Sequence, residues 1–408
     1  MRKIMRSAFL VLLSMLAGMP VWAANPPLTL TEAEAVRLGL AQADLADLAR
    51  GTVAAARAEA VAVSHFPNPS VSYSRERMGG ATDTVEQAWT VTQTFDVSGR
   101  RPLHQAAAGQ RVERAVAEND QRRNAWALEI RQAFFEALLQ QEVLRATEAW
   151  MQRFARVETR VGTLTRAGEA SGYDRRRLDR ERQLVTARVA TARAALARHL
   201  TQLATLTGLA RVEAVTGVLL PPEIAKIEVA VARLAQHPEV LMASARAAAA
   251  ELEDRAARLT RIPEVTVGVG PKWVDGAHGQ DRGFALSLSI PLPLFDRQHV
   301  RQEKAAELMQ ARAELRLLQR RGESDLRGVS QQAETLRAVA VAYRQQLTTA
   351  SPELLRIAEA AYRGGESSLL ELLDAYRGAL EDEMSALEFE QRAREARMAY
   401  DQRVGGAE

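Results

Sequence analysis

The sequence predicts a mainly α-helical chain with a small β part, built as two tandem repeats that each hold a β-hairpin and a long coiled-coil helical hairpin. Three observations lead there. Apolar residues recur at helical spacing over long proline-free stretches. Twice that periodicity gives way to strict alternation of apolar with small or polar residues, the mark of a half-buried strand. The stretch "YRGGESSLLELLDAYRGAL" (Tyr362 to Leu380) breaks a helical run at paired glycines, and "TRAGEASGYDRRRLD" (Thr165 to Asp179) breaks an earlier run in a similar way.

Taken in order, "MRKIMRSAFLVLLSMLAGMPVWAANPP" sets Arg2, Lys3 and Arg6 before an apolar run and Val21-x-Ala23 at a cleavage site. Residues 1–23 therefore read as a secretory signal peptide, with an apolar core too short for a permanent membrane helix. A helix is expected in 24–64, opened by the capping box Thr31-x-x-Glu34 and reaching towards Pro67. A β-hairpin follows in 65–98: "PSVSYSRERM" alternates Val71 and Tyr73 with Ser70, Ser72 and Ser74, and "TVEQAWTVTQTF" puts Val85, Trp89, Val91 and Phe95 on one face. "FDVSGRR" then leads into a helical hairpin over 99–208, with seams at Trp126, Ile130, Phe134, Leu138 and at Phe154, Val157, Val161, Leu164.

A linker, 209–236, contains "PPEIAK" and leads to the second repeat. Its helix, 237–260, precedes a hairpin at 261–295 with Val265, Val267 and Val269 on one strand and Phe284, Leu286, Leu288 and Ile290 on the other. "PLFDRQHVR" then leads into a helical hairpin over 296–402, with its seam at Leu373, Tyr376, Leu380 and Leu387, and a tail at 403–408. A helix of roughly 60 residues is about 90 Å long. Each glycine break is then the far turn of a hairpin.

Composition excludes several functions. The 54 basic and 51 acidic residues are evenly spread, so the net charge of +3 forms no nucleic-acid patch. Absence of cysteine excludes disulfides, thiolate metal sites and cysteine nucleophiles, and leads us to expect no lipid-modified N-terminal cysteine. The histidines, His65, His104, His199, His237, His278 and His299, are scattered without a ligand pair at helical spacing. No catalytic constellation, metal site or cofactor is expected, and without a phosphate-binding glycine loop any energy must come from a partner. Arg175, Arg176 and Arg177 read as a solvated helix face or, at the turn, a partner contact.

The hairpins concentrate aromatic residues: Phe66, Tyr73, Trp89, Phe95, Trp273, Phe284 and Phe295 lie in or beside them. That suits the girdles of a membrane barrel, and equally an ordinary sheet packed on helices. After the leader no apolar run is long enough to span a bilayer as a helix, so any crossing is made by strands. Sheet edges cannot stay open in lipid, and the smallest closed barrels have eight strands. Four strands per chain would close only by sharing; three copies give twelve strands and a twelve-helix tube.

The exported, doubled plan resembles the TolC-like outer-membrane factors, the exit ducts of tripartite efflux and type I secretion systems, over essentially the whole mature chain. Tyr362-x-x-Gly365-x-x-Ser368-x-x-Glu371-x-x-Asp374-Ala375 looks like that family's second periplasmic turn. The first turn is similar at Gly168, Ser171 and Asp174, but the following "RRRLDRER" is more charged than the family pattern. The resemblance implies a homotrimer in the outer membrane, with a twelve-stranded barrel continued by a periplasmic helical tube. It implies a periplasmic adaptor and an inner-membrane pump of RND type as partners.

By the same resemblance Asp174, Tyr362, Glu371 and Asp374 would form the pore gate. Gly168, Ser171, Gly365 and Ser368 would form the tip and adaptor contact, and Tyr73, Trp89, Phe95, Trp273 and Phe284 would meet lipid or its boundary. Glu371 and Asp374, three apart, share a helix face and under three-fold symmetry become cation-attracting rings; their plain alternative is a solvated N-terminal turn favoured by the dipole. Ser367 stands where the family's best-known member has a basic residue, implying a weaker salt-linked closed state. The compact length is most similar to the heavy-metal, cobalt-zinc-cadmium type. A drug-efflux or type I secretion duct is the alternative within the family. A periplasmic adaptor or a structural coiled coil is the alternative outside it.

Overall fold

The computed structural model describes residues 29–79, 83–166, 171–276, 279–292 and 298–405. The leader, Gly168, His278 and Phe295 lie outside the described residues.

The chain begins with a two-residue strand β1 (Thr29–Leu30), α1 (Glu32–Leu40) and α2 (Ala43–Ser64). The hairpin β2 (Ser70–Met78) and β3 (Thr84–Phe95) leads into α3 (Arg100–Arg166) and α4 (Gly172–Thr207). A second two-residue strand, β4 (Ala214–Val215), pairs in parallel with β1, and α5 (Ile227–Leu234) follows. Then come α6 (Pro238–Arg258), β5 (Val265–Gly276), β6 (Gly279–Ser289), α7 (Gln298–Gly364) and α8 (Leu369–Val404). Helices α3 and α7 each have 67 residues, and α4 and α8 each have 36. At the standard rise the longer pair reach about 100 Å.

Helices of this length need continuous lateral support, because propensity alone does not hold them. The seams provide it. Helix α3 packs against α2, α4, α6 and α8, and α7 against α5, α6 and α8. The central core gathers Phe134, Ile130, Leu138 and Leu203 from α3 and α4 around Leu30 and Val215 of the small parallel pair. A second core nearer the far turns joins Trp150, Phe154, Val157 and Val161 of α3, Leu178 and Val185 of α4, and Leu372, Leu373, Tyr376 and Leu380 of α8. It sets one helical hairpin against the other.

The segment before the first hairpin is two helices, where its alanine-rich composition leads to the expectation of one. At Gln42 the backbone is extended (φ −62°, ψ 136°), and its side-chain amide donates to Leu206 O on α4. Helix α1 itself packs closely on α3: a Cβ on Gly39 would collide with Ile130. Sequence periodicity cannot show such a contact.

The four longer strands form one antiparallel sheet in the order β2-β3-β5-β6. The join between the halves is β3 with β5, with Val91 opposite Val269 and Phe95 opposite Val265. β2 and β6 remain as open edges. Among the described residues no helix is long and apolar enough to cross a membrane.

Candidate functional site

At the far turn of the second helical hairpin, α7 stops because Gly365 takes a left-handed φ of +75°, a conformation that costs other L-residues a clash with Cβ. The N–H groups of Glu366 and Ser367 turn back onto Ala361 O at 2.9 and 3.3 Å, closing off the helix end. Ser368 then starts α8. Its backbone N–H donates to Glu371 Oε2 at 2.8 Å, and Glu371 N–H donates to Ser368 Oγ at 3.3 Å. The first hairpin repeats the device at α4: Ser171 Oγ donates to Asp174 Oδ2 at 2.8 Å and accepts from Asp174 N–H at 3.1 Å. Both are capping boxes.

Asp174 and Glu371 therefore serve their own helix starts, satisfying donors that have no intrahelical partner. Asp374, one turn further along α8, is exposed on the same face as Glu371 and makes no ion pair among the described residues. The two turns lie close enough to interact. Burial raises the pKa of the Tyr362 phenol, and the nearby Asp174 carboxylate raises it further against the opposing Arg160. No hydrogen bond joins Tyr362 to Asp174. Ser367 Oγ is buried without a partner among the described residues.

A connection missed at the sequence level lies a little higher. Glu181 of α4 is only 4% exposed and pairs with Arg377 of α8, tying the first hairpin to the second. A signal was present: Glu181 sits between Leu178 and Val185 at three-four spacing, where the seam calls for an apolar residue. Beside it the Trp150 indole donates to Tyr376 O at 3.0 Å, and the Tyr376 hydroxyl reaches Glu359 Oε1 at 2.5 Å. Burial, then that carboxylate, pushes the Tyr376 phenol far up. Further from the turns, Arg344 of α7 bonds both Glu383 and Glu390 of α8, at 2.6 and 2.7 Å.

Near the C-terminal end of α8, Arg394 holds the linker by donating to the carbonyls of Val218, Leu219 and Leu220 at 2.7, 2.9 and 3.1 Å. Its guanidinium also lies 4.1 Å from the Phe135 ring centroid, and burial lowers its pKa to about 10.

The sheet is two-faced. Register aligns Val71, Val91, Val269 and Leu286 across all four strands, with Tyr73 opposite Trp89 and Pro271 opposite Phe284 in the next row. Phe284 and Leu286 are 86% and 80% exposed. The other face carries Ser70, Ser72, Thr90, Thr92, Thr94, Gly268 and Gly270, with hydroxyls paired as Ser70–Thr92 (2.6 Å) and Thr94–Thr266 (2.8 Å). Strand β3 approaches so closely that a Cβ on Gly270 would meet Trp89 O. The small-residue face is thus crowded while the bulky face is open.

All five aromatics singled out in the strands lie on the bulky face. Tyr73 and Trp89 are in contact at 5.0 Å between ring centroids near the strand-loop end, with Phe284 in the same row and Trp273 one row beyond. Phe95 closes the opposite end, 6.4 Å from Phe66, whose ring is covered by the Arg101 guanidinium at 3.5 Å. Phe95 lies six positions along β3 from Trp89, about 20 Å along a strand. Exposed Phe66, Val97 and Leu292 lengthen the apolar surface towards the helices. Among the described residues no group of three or more His, Asp or Glu side chains is placed to hold a metal ion.

No protein-family model matches the chain, and no curated protein is significantly similar to it. Solved structures do match. CusC, described as forming a transmembrane channel, aligns at TM-score 0.74 and 18% identity, over 92% of each chain. The outer membrane protein VceC of Vibrio cholerae aligns at TM-score 0.74 and 18% identity, over 92% of this chain and 96% of that one. The MtrE outer membrane channel of Neisseria gonorrhoeae, solved in its open state, aligns at 0.74 and 18%, over 92% and 89%. The chain has the fold of these outer-membrane channel proteins.

Proposed function

We propose that the protein is a passive exit duct of the outer membrane, working in a tripartite efflux system with a periplasmic adaptor and an inner-membrane pump of RND type. The observation that carries this reading is the sheet: a largely exposed apolar face, aromatic at both ends, on four strands with two open edges. In water that face is an aggregation hazard and its edges invite pairing. In a homotrimer the edges close into a twelve-stranded barrel whose bulky face meets lipid. Helices of about 100 Å then continue as a tube into the periplasm.

At the end of the tube, Asp174 with Tyr362 and the exposed acids Glu371 and Asp374 form the gate. Ser171, Gly168, Gly365 and Ser368 shape the tips that meet the adaptor. The exported cargo in this reading is heavy-metal cations, supported by the acidic tip face and by the compact sequence's likeness to the metal-efflux type. Growth of a deletion strain on zinc, cadmium, cobalt, nickel and copper salts, beside drugs and detergents, tests the cargo. Sensitivity to metals alone supports it; sensitivity to drugs alone keeps the duct and removes the metal assignment.

A further inference from the structure

Arg175, Arg176 and Arg177 stand near the start of α4, the end at which a helix dipole favours acids. The internal repeat tells the three apart. Helices α4 and α8 both have 36 residues and both begin at a serine N-cap with a capping box, so they align from Ser171 and Ser368. In that alignment Asp174 matches Glu371, the third residue after each cap. Arg175 and Arg176 match Leu372 and Leu373, which α8 buries in the core beside Trp150. Arg177, the sixth residue, matches Asp374.

The face shared by Arg177 and Asp374 is the one that both helices leave open. On it Tyr173 matches Leu370, 70% and 48% exposed, and Leu184 matches Glu381, exposed in both helices. The helices also stand level. Glu181, tenth after its cap, pairs with Arg377, ninth after its own. Arg177 and Asp374 therefore lie at one height above the turns, to within about 1.5 Å, one residue's rise. That relation is internal to a single chain. Arg177 is partly exposed and makes no ion pair among the described residues, because Asp174 is engaged in its cap and Glu181 with Arg377.

Repeats arranged about one axis turn equivalent faces towards it. A pore-facing Asp374, on which this inference rests, thus implies a pore-facing Arg177. We propose that Arg177 is a selectivity residue of the duct, placing a basic group in the pore at the height of the Asp374 carboxylate. Charges a few ångströms from a permeating ion act on it strongly where the dielectric is low. The arginine offsets the attraction of the acid for cations, so the gate holds a weaker cation preference than its acids alone would give. Arg175 and Arg176, on the face that α8 uses for its core, take no part.

The test records single channels of the full-length protein in planar bilayers under a potassium chloride gradient and reads the reversal potential. Arg177→Gln should raise the ratio of potassium to chloride permeability by roughly twofold or more, whereas Arg177→Lys should keep the original ratio and Arg175→Gln should barely move it. The chain has no cysteine, so Arg177→Cys carries a single thiol. An anionic methanethiosulfonate reagent added from the tip side should shift that variant further towards cations and leave the unaltered protein unaffected. A shift in Asp374→Asn with none in Arg177→Gln keeps the gate and overturns the proposal. Silence of both variants overturns the gate reading itself. An equal shift in Arg175→Gln and Arg177→Gln assigns the effect to the general field of the tip and overturns the assignment to Arg177.

Discussion

Glu181 occupies a seam position of α4 and is buried opposite Arg377 of α8. Removing the partner of a buried charge costs more than the pair itself contributes, because the remaining charge stays desolvated. Arg377→Ala should therefore lower stability by about 3 kcal/mol, the low end for such a loss since Arg377 is itself partly exposed. Glu181→Leu/Arg377→Leu should recover much of it. Thermal unfolding of both variants measures this, and equal melting of the single and double variants would deny the pair its role. Gly365 argues from backbone alone: nothing lies within 4 Å of a Cβ there, but φ is +75°. Gly365→Val should weaken the turn by roughly 1–2 kcal/mol and impair export with trimers intact; normal export would make the turn a tolerant one.

At the scale of elements, the helix periods and strand alternation were legible because each is set by local burial. Val71 and Tyr73, or Leu286 and Leu288, announce their face without any knowledge of the neighbour. The tip breaks were legible for the same reason, through glycine and the Ser-x-x-acid spacing. What the sequence hid is made by contacts distant along the chain. The bend at Gln42 depends on Leu206, the grip of Arg394 on residues 218–220 spans more than a hundred positions, and the β3–β5 pairing joins the two halves. Asp174 and Glu371 were read as gate acids from the turn motif, yet their carboxylates also cap helices, a duty the same spacing announces.

Helix α4 carries a pH response. Burial, then Arg198, pushes the pKa of His199 down, opposed by Glu136; His199 Nε2 lies 2.8 Å from Arg198 Nη2, and Nδ1 is buried without a partner among the described residues. A lowered folded pKa means the unfolded chain takes up the proton first. Stability is full above the unfolded value of about 6.5 and falls as pH drops through the lower folded pKa. The melting temperature should decline as pH falls below about 6.5, with a shallower slope in His199→Gln; an identical slope in that variant would assign the decline to other groups.

For the whole molecule, the gate proposed at Glu371 and Asp374 works only if three copies turn each acid into a ring. Glu371 is a poor probe of them, since its loss also uncaps α8. Asp374 has no such second duty. Asp374→Asn should reduce cation preference in single-channel recordings while leaving stability within about 0.5 kcal/mol; unchanged selectivity would return Asp374 to an ordinary solvated face.

The open edges of β2 and β6 and the exposed apolar face stand or fall together, since closure of the barrel resolves both. The native mass of the protein extracted by detergent from outer membranes tests that closure most directly. The account predicts three chains in one particle, confined to the outer-membrane fraction. A single chain recovered from the soluble periplasm without detergent would contradict it.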